Sequence, residues 1–345
     1  MSESSQRFWK SIPSGEYISS ERGYEEPFSV SWRELRVPLH VALFVITLIT
    51  ATLAGVEWRG RDPFDLINFK TGLAYSVSLL VILGSHEFGH FFYSLKHHVK
   101  ATLPYFIPFP VLPGMLNFGT LGAVIRTKTP VPSRKAMFDI GVSGPIVGFV
   151  MSVVVLIFGF THLPGKEYLI HIHPNYDFAT NTVPGSEGIP LAFGNTILFR
   201  LLELIFTNPH KEFVPPMTEI YHYPFLCVGW FGLFVTAMNL LPIGQLDGGH
   251  LIYAMFGDSH KKIARFFFVI MLIIGLLGLL PLFGFKINIG WTGWLFWCLI
   301  LFFVIKIDHP RTMDTAPLDT RRKVIGWLTI LIFIVSFSPN PFTIS

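Results

Sequence analysis

Apolar residues gather along this chain into long runs, at about 38–56, 72–95, 136–160, 224–243, 264–284, 289–305 and 324–340, with polar and basic residues collected between them. A bilayer crossing takes about 20 largely apolar residues, and lipid tolerates only backbone that is hydrogen-bonded within its own segment, so seven helices are predicted. A polar and charged stretch of more than 30 residues precedes the first run. That order does not fit a cleaved signal peptide, and the first segment is expected to be retained. Lysine and arginine then set the orientation. With the N-terminus inside, Arg33 and Arg36, the basic residues between Lys96 and Lys135, Lys261, Lys262 and Arg265, and those from Lys306 to Lys323 all fall on the cytoplasmic side. The outer loops keep few basic residues, among them Arg59, Arg61, Lys166, Arg200, Lys211 and Lys286.

Two stretches break the pattern. Between 101 and 135, Pro104, Pro108, Pro110 and Pro113 forbid a helix, and Phe118-Gly-Thr-Leu-Gly-Ala-Val-Ile125 reads as extended chain. A re-entrant or interfacial β element is expected there, with an exposed edge able to add an unwound peptide as a strand. Between 161 and 223 the chain mixes prolines and polar residues with the run 191–206, which holds Arg200 and Glu203 and follows Gly188-Ile189-Pro190. A surface-lying or partly inserted amphipathic helix suits it better than a span.

Composition agrees with this layout. The 345 residues are 51% hydrophobic and 14% charged, too apolar for an ordinary soluble enzyme, and the chain is expected to be an all-α polytopic membrane protein with a small β element. The net charge of +4 sits in short inter-span segments without a basic and aromatic stripe, so the lipid bilayer is an expected partner and nucleic acid is not. Cys227 and Cys298 lie in separate apolar segments and read as isolated buried thiols.

Candidate chemistry begins with His86-Glu87-Phe-Gly-His90, near the end of the second run. On a helix, residues four apart share a face, so His86 and His90 can reach one metal ion while Glu87 stays beside it to handle a water proton. Hydrolytic zinc takes three protein ligands and leaves a position for water, which makes Asp247, in Asn239-Leu-Leu-Pro-Ile-Gly-Gln-Leu-Asp247-Gly, the expected third ligand. Spans two and four run in the same direction, and both motifs then fall at similar depth. Ionisable groups are costly in lipid unless paired, hydrated or metal-bound, so their coincidence points to a site. Pro242 and Gly244 are expected to break the helix and present Asp247. Gly141, Gly144, Pro145 and Gly148 suggest close helix packing. His250 reads as a neighbour of the site, and His97 and His98 as solvent-facing residues at the basic boundary. The outer histidines His162, His171, His173, His210 and His222 lie on the wrong side for this metal, and accessory metal binding among them is only weakly indicated.

These motifs, together with Phe118-Gly-Thr-Leu-Gly and Asp139-Ile-Gly-Val-Ser-Gly-Pro145, resemble the site-2 protease family of intramembrane zinc metalloproteases (peptidase family M50), in its bacterial, archaeal and chloroplast-type branch. The resemblance covers about 72–260 and implies a site-2-protease-like helical core as the catalytic unit. Residues 1–37 then form a polar cytoplasmic segment, 38–71 the first span and outer loop, and 261–345 accessory spans. It further implies one catalytic zinc ion, cleavage within or near the membrane segments of tethered proteins, often already trimmed by another protease, and a role for Asn239 in orienting substrate or stabilising the oxyanion. Bonding of Asn239 to a neighbouring backbone group remains an equal reading. A bacterial or archaeal cytoplasmic membrane is expected, ahead of a plastid membrane. The competing functions are a membrane transporter or metal carrier, a soluble-type zinc peptidase tethered to the membrane, and a noncatalytic homologue.

Overall fold

A computed structural model describes residues 36–112, 117–184, 191–208, 212–285, 289–309 and 316–344. The polar N-terminal segment falls almost wholly outside the described residues, as do Pro113, Gly188-Ile189-Pro190 and the turn at Lys286-Ile287-Asn288.

All seven predicted apolar segments contain helix. In chain order the helices are α1 (Val37–Trp58), α2 (Phe69–Lys96), α3 (Arg134–Thr161), the short α4 (Lys166–Ile172) and α5 (Ile197–Phe206), then α6 (Pro224–Asn239), α7 (Asp247–Phe256), α8 (His260–Leu277), α9 (Gly293–Ile300) and α10 (Thr320–Ser336). Their starts follow local chemistry. Pro38 occupies the first turn of α1, where its missing N–H costs nothing. The Ser133 hydroxyl accepts the Ala136 N–H at 3.1 Å to cap α3, and the Asp319 carboxylate accepts the Arg322 N–H at 3.1 Å to cap α10. Four stretches among the described residues are long and apolar enough to cross a membrane: Val37–Trp58, Leu66–Lys96, Arg134–Thr161 and Asp247–Phe283. The last is interrupted at Gly257, whose φ of +59° breaks α7 from α8. The predicted segments at 224–243 and 289–305 give shorter apolar helices, because α6 ends at Asn239 and α9 passes into a π-helical turn over Leu301–Ile305.

The bundle centres on α3, which packs on α2, α6 and α7. Its apolar core around Trp58, Tyr75, Leu156, Trp230 and Phe231 is closed to solvent. Cys227 and Cys298 are both buried and free.

The expected β element is a hairpin. Strand β1 (Tyr105–Pro108) pairs antiparallel with β2 (Thr120–Val124), Tyr105 opposite Val124 and Phe106 opposite Ala123, with a bulge between Phe106 and Pro108. Its flanks are bonded along α1. Near the start of α1 the His40 Nδ1–H donates to the Pro104 carbonyl at 2.9 Å. Further along, the Thr50 hydroxyl donates to the Gly119 carbonyl at 2.6 Å, and near the end the Trp58 indole donates to the Asn117 carbonyl at 2.7 Å. At about 1.5 Å per residue, His40 and Trp58 are about 27 Å apart along the helix. Gly119 permits this approach. Its φ is +72°, and a Cβ there would lie 2.5 Å from the Thr50 carbonyl oxygen.

The 191–206 run divides differently from the expectation. Its first residues form β3 (Leu191–Phe193), which pairs with β4 (Phe342–Ile344), so only the remainder is helical. The ten-residue α5 is too short to span. It buries Phe199 and Leu202 and exposes Ile197, Leu201, Leu204 and Ile205.

Candidate active site

Helix α2 carries His86, Glu87 and His90 on its buried face. One helical turn brings the two histidine Nε2 atoms to 3.1 Å of each other. An Asp247 Oδ2 atom lies 3.4 Å from His86 Nε2 and 3.3 Å from His90 Nε2, closing a nearly equilateral triangle. Both histidines are buried, and the Asp247 side chain is 17% exposed.

Helix α3 shapes the histidine side of this triangle. The Ile140 carbonyl accepts the His90 Nδ1–H at 2.7 Å, which fixes the ring and leaves the Nε2 lone pair facing the triangle. The glycine row read from sequence as helix packing has this more specific duty. A Cβ at Gly144 would lie 2.5 Å from His90 Cδ2 and 2.6 Å from Cε1, and one at Gly148 would lie 3.1 Å from His86 Nδ1. The missing side chains are the space in which the imidazoles stand.

The carboxylate side depends on the helix break. After α6 ends at Asn239 the chain turns through Pro242 and Gly244, where φ is +58° and the Gly244 N–H donates to the Ile307 carbonyl at 3.0 Å. Asp247 then opens α7, with its carboxylate in the first turn, where the helix dipole favours negative charge. The eight residues from Asn239 to Asp247 therefore do not form two helical turns, yet both side chains return to one point. Asn239 Nδ2 stands 3.3 Å from His86 Nε2.

Glu87 is buried beside the triangle, and its Oε2 accepts the Ile125 N–H at 2.8 Å. That bond anchors the end of β2 to the site. A cleft of about 320 Å³ is lined by His86, Glu87, His90, Asn239 and Asp247 on one side and by Ala123, Val124 and Ile125 on the other.

Other expected neighbours divide. His250 lines the cleft without joining the triangle, and its Nδ1 is 2.6 Å from His309 Nε2. His97 is not simply solvent-facing. Its Nε2 lies 2.8 Å from Asp139 Oδ2, a buried carboxylate that Arg322 also grips with Nε at 2.8 Å and Nη2 at 2.6 Å. These contacts, with Asp319 beside them, raise the Arg322 pKa further above its ordinary value, and the cluster ties α2, α3 and α10 together. Sequence reasoning missed the Ile125 N–H, because a backbone donor carries no residue signature, and it missed the Asp139–Arg322 pair, 183 positions apart.

The triangle suits one zinc ion. Metal–ligand bonds of about 2.0–2.2 Å in tetrahedral array put ligand atoms about 3.3 Å apart, as these are. Two imidazoles and a carboxylate are the donor set of hydrolytic zinc, and the His90 bond to Ile140 orients its ring as metal-bound histidines require.

The sequence matches Peptidase family M50 over residues 74–282, which is most of the chain. It is 28% identical over 303 residues to a probable zinc metalloprotease EGY2, chloroplastic, of Oryza sativa subsp. indica, covering 86% of this chain and 49% of that protein. It is 27% identical over 276 residues to a probable zinc metalloprotease EGY1, chloroplastic, of Arabidopsis thaliana, covering 80% and 44%. A probable zinc metallopeptidase EGY3, chloroplastic, of Arabidopsis thaliana is 25% identical over 272 residues, covering 76% and 42%. The chain thus spans about half the length of these curated relatives. No solved structure matches it. The expectation that ranked a bacterial or archaeal cytoplasmic membrane above a plastid membrane is corrected here: these relatives are plant chloroplast proteins, and a plastid location is not the lesser alternative. The chain belongs to peptidase family M50.

Proposed function

We propose that this M50 peptidase is a zinc-dependent endopeptidase that cuts peptide bonds within or next to the membrane-spanning segments of other proteins. The observation that carries the reading is the buried His86, His90 and Asp247 triangle, with Glu87 and Asn239 against it at the depth of apolar helices. The plant relatives support a plastid-type membrane as its setting.

His86, His90 and Asp247 would hold the zinc ion, which when bound acidifies a water molecule and polarises the scissile carbonyl. Glu87 accepts the proton of the attacking water and returns it to the leaving amine. The Ile125 N–H keeps the Glu87 carboxylate beside the triangle, because a charge-assisted bond of this kind holds both position and rotamer. Asn239 directs an amide N–H toward the same point and stabilises the oxyanion. Within the described residues β2 pairs only with β1, and its last residues line the cleft, so a membrane segment that unwinds can lie along it as an added strand. The substrate is accordingly a membrane-spanning protein whose helix opens readily, a class that includes proteins already trimmed by another protease.

The test is mass-resolved cleavage of single-span peptides with helix-breaking centres, in lipid vesicles, by wild type and Glu87→Gln. Zinc-dependent cuts at a membrane-embedded bond by wild type, lost by at least 100-fold in a Glu87→Gln variant that keeps its metal, are expected. Cleavage by the variant at the wild-type rate overturns the assignment, and transport without cleavage by zinc-loaded wild type would favour a carrier.

A further inference from the structure

A second cluster of metal-binding side chains lies well away from the cleft. His173 caps the end of α4, while Glu219 precedes and His222 ends the 3-10 turn Ile220–His222 that leads into α6. His173 Nε2 and His222 Nε2 are 3.0 Å apart, and Glu219 Oε2 is 3.6 Å from the first and 3.7 Å from the second. This triangle has nearly the dimensions of the His86, His90 and Asp247 one, and brackets the same tetrahedral edge of about 3.3 Å. It sits beside Trp58, while His86 lies about 20 Å further along α2 from the Gly72 contact with α1.

Hydrogen bonding within the protein does not account for the cluster. His222 Nδ1 is 2.9 Å from the Trp58 carbonyl, an acceptor only, so Nδ1 carries the proton and Nε2 is a bare lone pair. The His173 Nε2–H can serve that lone pair, but then neither ring serves Glu219 Oε2. Its Oε2 is buried without a hydrogen-bond donor, in a residue only 5% exposed, at distances from both rings too long for a hydrogen bond. A buried carboxylate oxygen with no donor is costly, and a cation at the centre of the triangle would satisfy it and both nitrogens together. The His222 ring also has the backbone carbonyl partner typical of metal-bound histidine.

We propose that His173, Glu219 and His222 form a second, structural site for a zinc-class divalent cation, independent of the catalytic ion. The cation fastens the end of α4 to the start of α6. Through the His222 bond to the Trp58 carbonyl it also holds the end of α1, whose indole grips the Asn117 carbonyl just ahead of β2. It therefore braces, from the opposite end of the bundle, the segment that carries β2 to Glu87.

Full-length protein in detergent would be loaded with zinc chloride, freed of loosely held metal, and its zinc-to-protein ratio measured by mass spectrometry. Wild type is expected to hold two zinc ions per chain, His173→Ala one, His86→Ala/His90→Ala one, and the triple variant none. His173 is half-buried, so its removal tests the site with little risk to the fold. X-ray absorption on the His86→Ala/His90→Ala protein provides an independent reading and is expected to show two imidazoles and an oxygen on the remaining zinc. One zinc on wild type and none on His86→Ala/His90→Ala overturns the proposal, as does an undiminished ratio in His173→Ala.

Discussion

Replacing Gly144 with alanine puts a single methyl group into the space occupied by the His90 imidazole. The new Cβ would stand 2.5 Å from Cδ2 and 2.6 Å from Cε1, where nonbonded carbons settle at about 3.5 Å or more, so the ring must retreat by about 1 Å. It cannot do so freely. Its Nδ1 is bonded to Ile140 on the same helix as the intruding methyl, and α2 and α3 are already in contact at Gly89, where an added Cβ would lie 2.8 Å from the Ser143 carbonyl oxygen. Metal–nitrogen bonds tolerate about 0.2 Å, so the required retreat is several times larger than zinc ligation allows. Overpacking of a close-packed contact costs about 1–3 kcal/mol, and a disturbed ligand support costs about 10- to 100-fold in metal affinity, so the two magnitudes agree. Gly144→Ala is therefore expected to lower zinc affinity at the catalytic site at least 10-fold and peptide hydrolysis with it. Gly148→Ala, with its closest approach to His86 at 3.1 Å, is expected to cost much less. The assay is competition with a chromophoric chelator, counting the metal held beyond that of the His86→Ala/His90→Ala variant, alongside vesicle cleavage. Zinc affinity within twofold of wild type in Gly144→Ala, or equal losses in both glycine variants, would refute the idea that these positions make room for ligands.

Asp247→Asn retains shape but removes the one charge among the three ligands, and is expected to lose catalytic zinc under a chelator concentration that leaves wild type loaded, as metal-to-protein ratios will show. Gly119→Ala strains a φ of +72° and presses a methyl against Thr50, so cleavage is expected to fall at least 10-fold while zinc at the His86 site is retained; simultaneous loss of metal would show that the strand and the triangle are not separable. Arg322→Ala leaves Asp139 with His97 as its remaining ionic partner and is expected to cost about 1–3 kcal/mol, read as a lowered thermal midpoint in detergent; an unchanged midpoint would show the cluster to be inert.

The apolar runs gave the helices directly, because lipid imposes backbone closure and a minimum length on any sequence that enters it. The HExxH spacing was legible for a similar reason: a 3.6-residue period leaves His86 and His90 no alternative but to share a face. Asp247 came from a different kind of reasoning, the ligand count of hydrolytic zinc, and needed Pro242 and Gly244 as the mark of a broken helix. What sequence left open depends on pairings without local signature. The glycines at 144 and 148 announce close approach but not to what, and the Ile125 amide and the Trp58 carbonyl act through backbone atoms that every residue has. His173 and the Glu219, His222 pair are more than 40 positions apart, and only the fold brings their nitrogens to 3.0 Å. The end of α6 at Asn239 illustrates the limit from the other side: Leu240 and Leu241 continue the hydropathy, so apolar character alone extends a helix that backbone geometry has already ended.

The hairpin links these levels. A polar site within apolar helices is stable only if its donors and acceptors are matched, and a peptide substrate must find backbone partners there when its helix opens. The chain meets both demands with one segment. Pro104, Pro108, Pro110 and Gly119 keep the described residues of 101–125 out of helix, His40, Thr50 and Trp58 of α1 take up carbonyls along its path, and the Ile125 N–H at its end goes to Glu87. On the proposed mechanism, the segment that would offer an extended edge to substrate is the one bonded to Glu87, so a shift of the strand along α1 would move both together. The bond between Ile125 and Glu87 would thereby tie the position of the carboxylate to that of the strand.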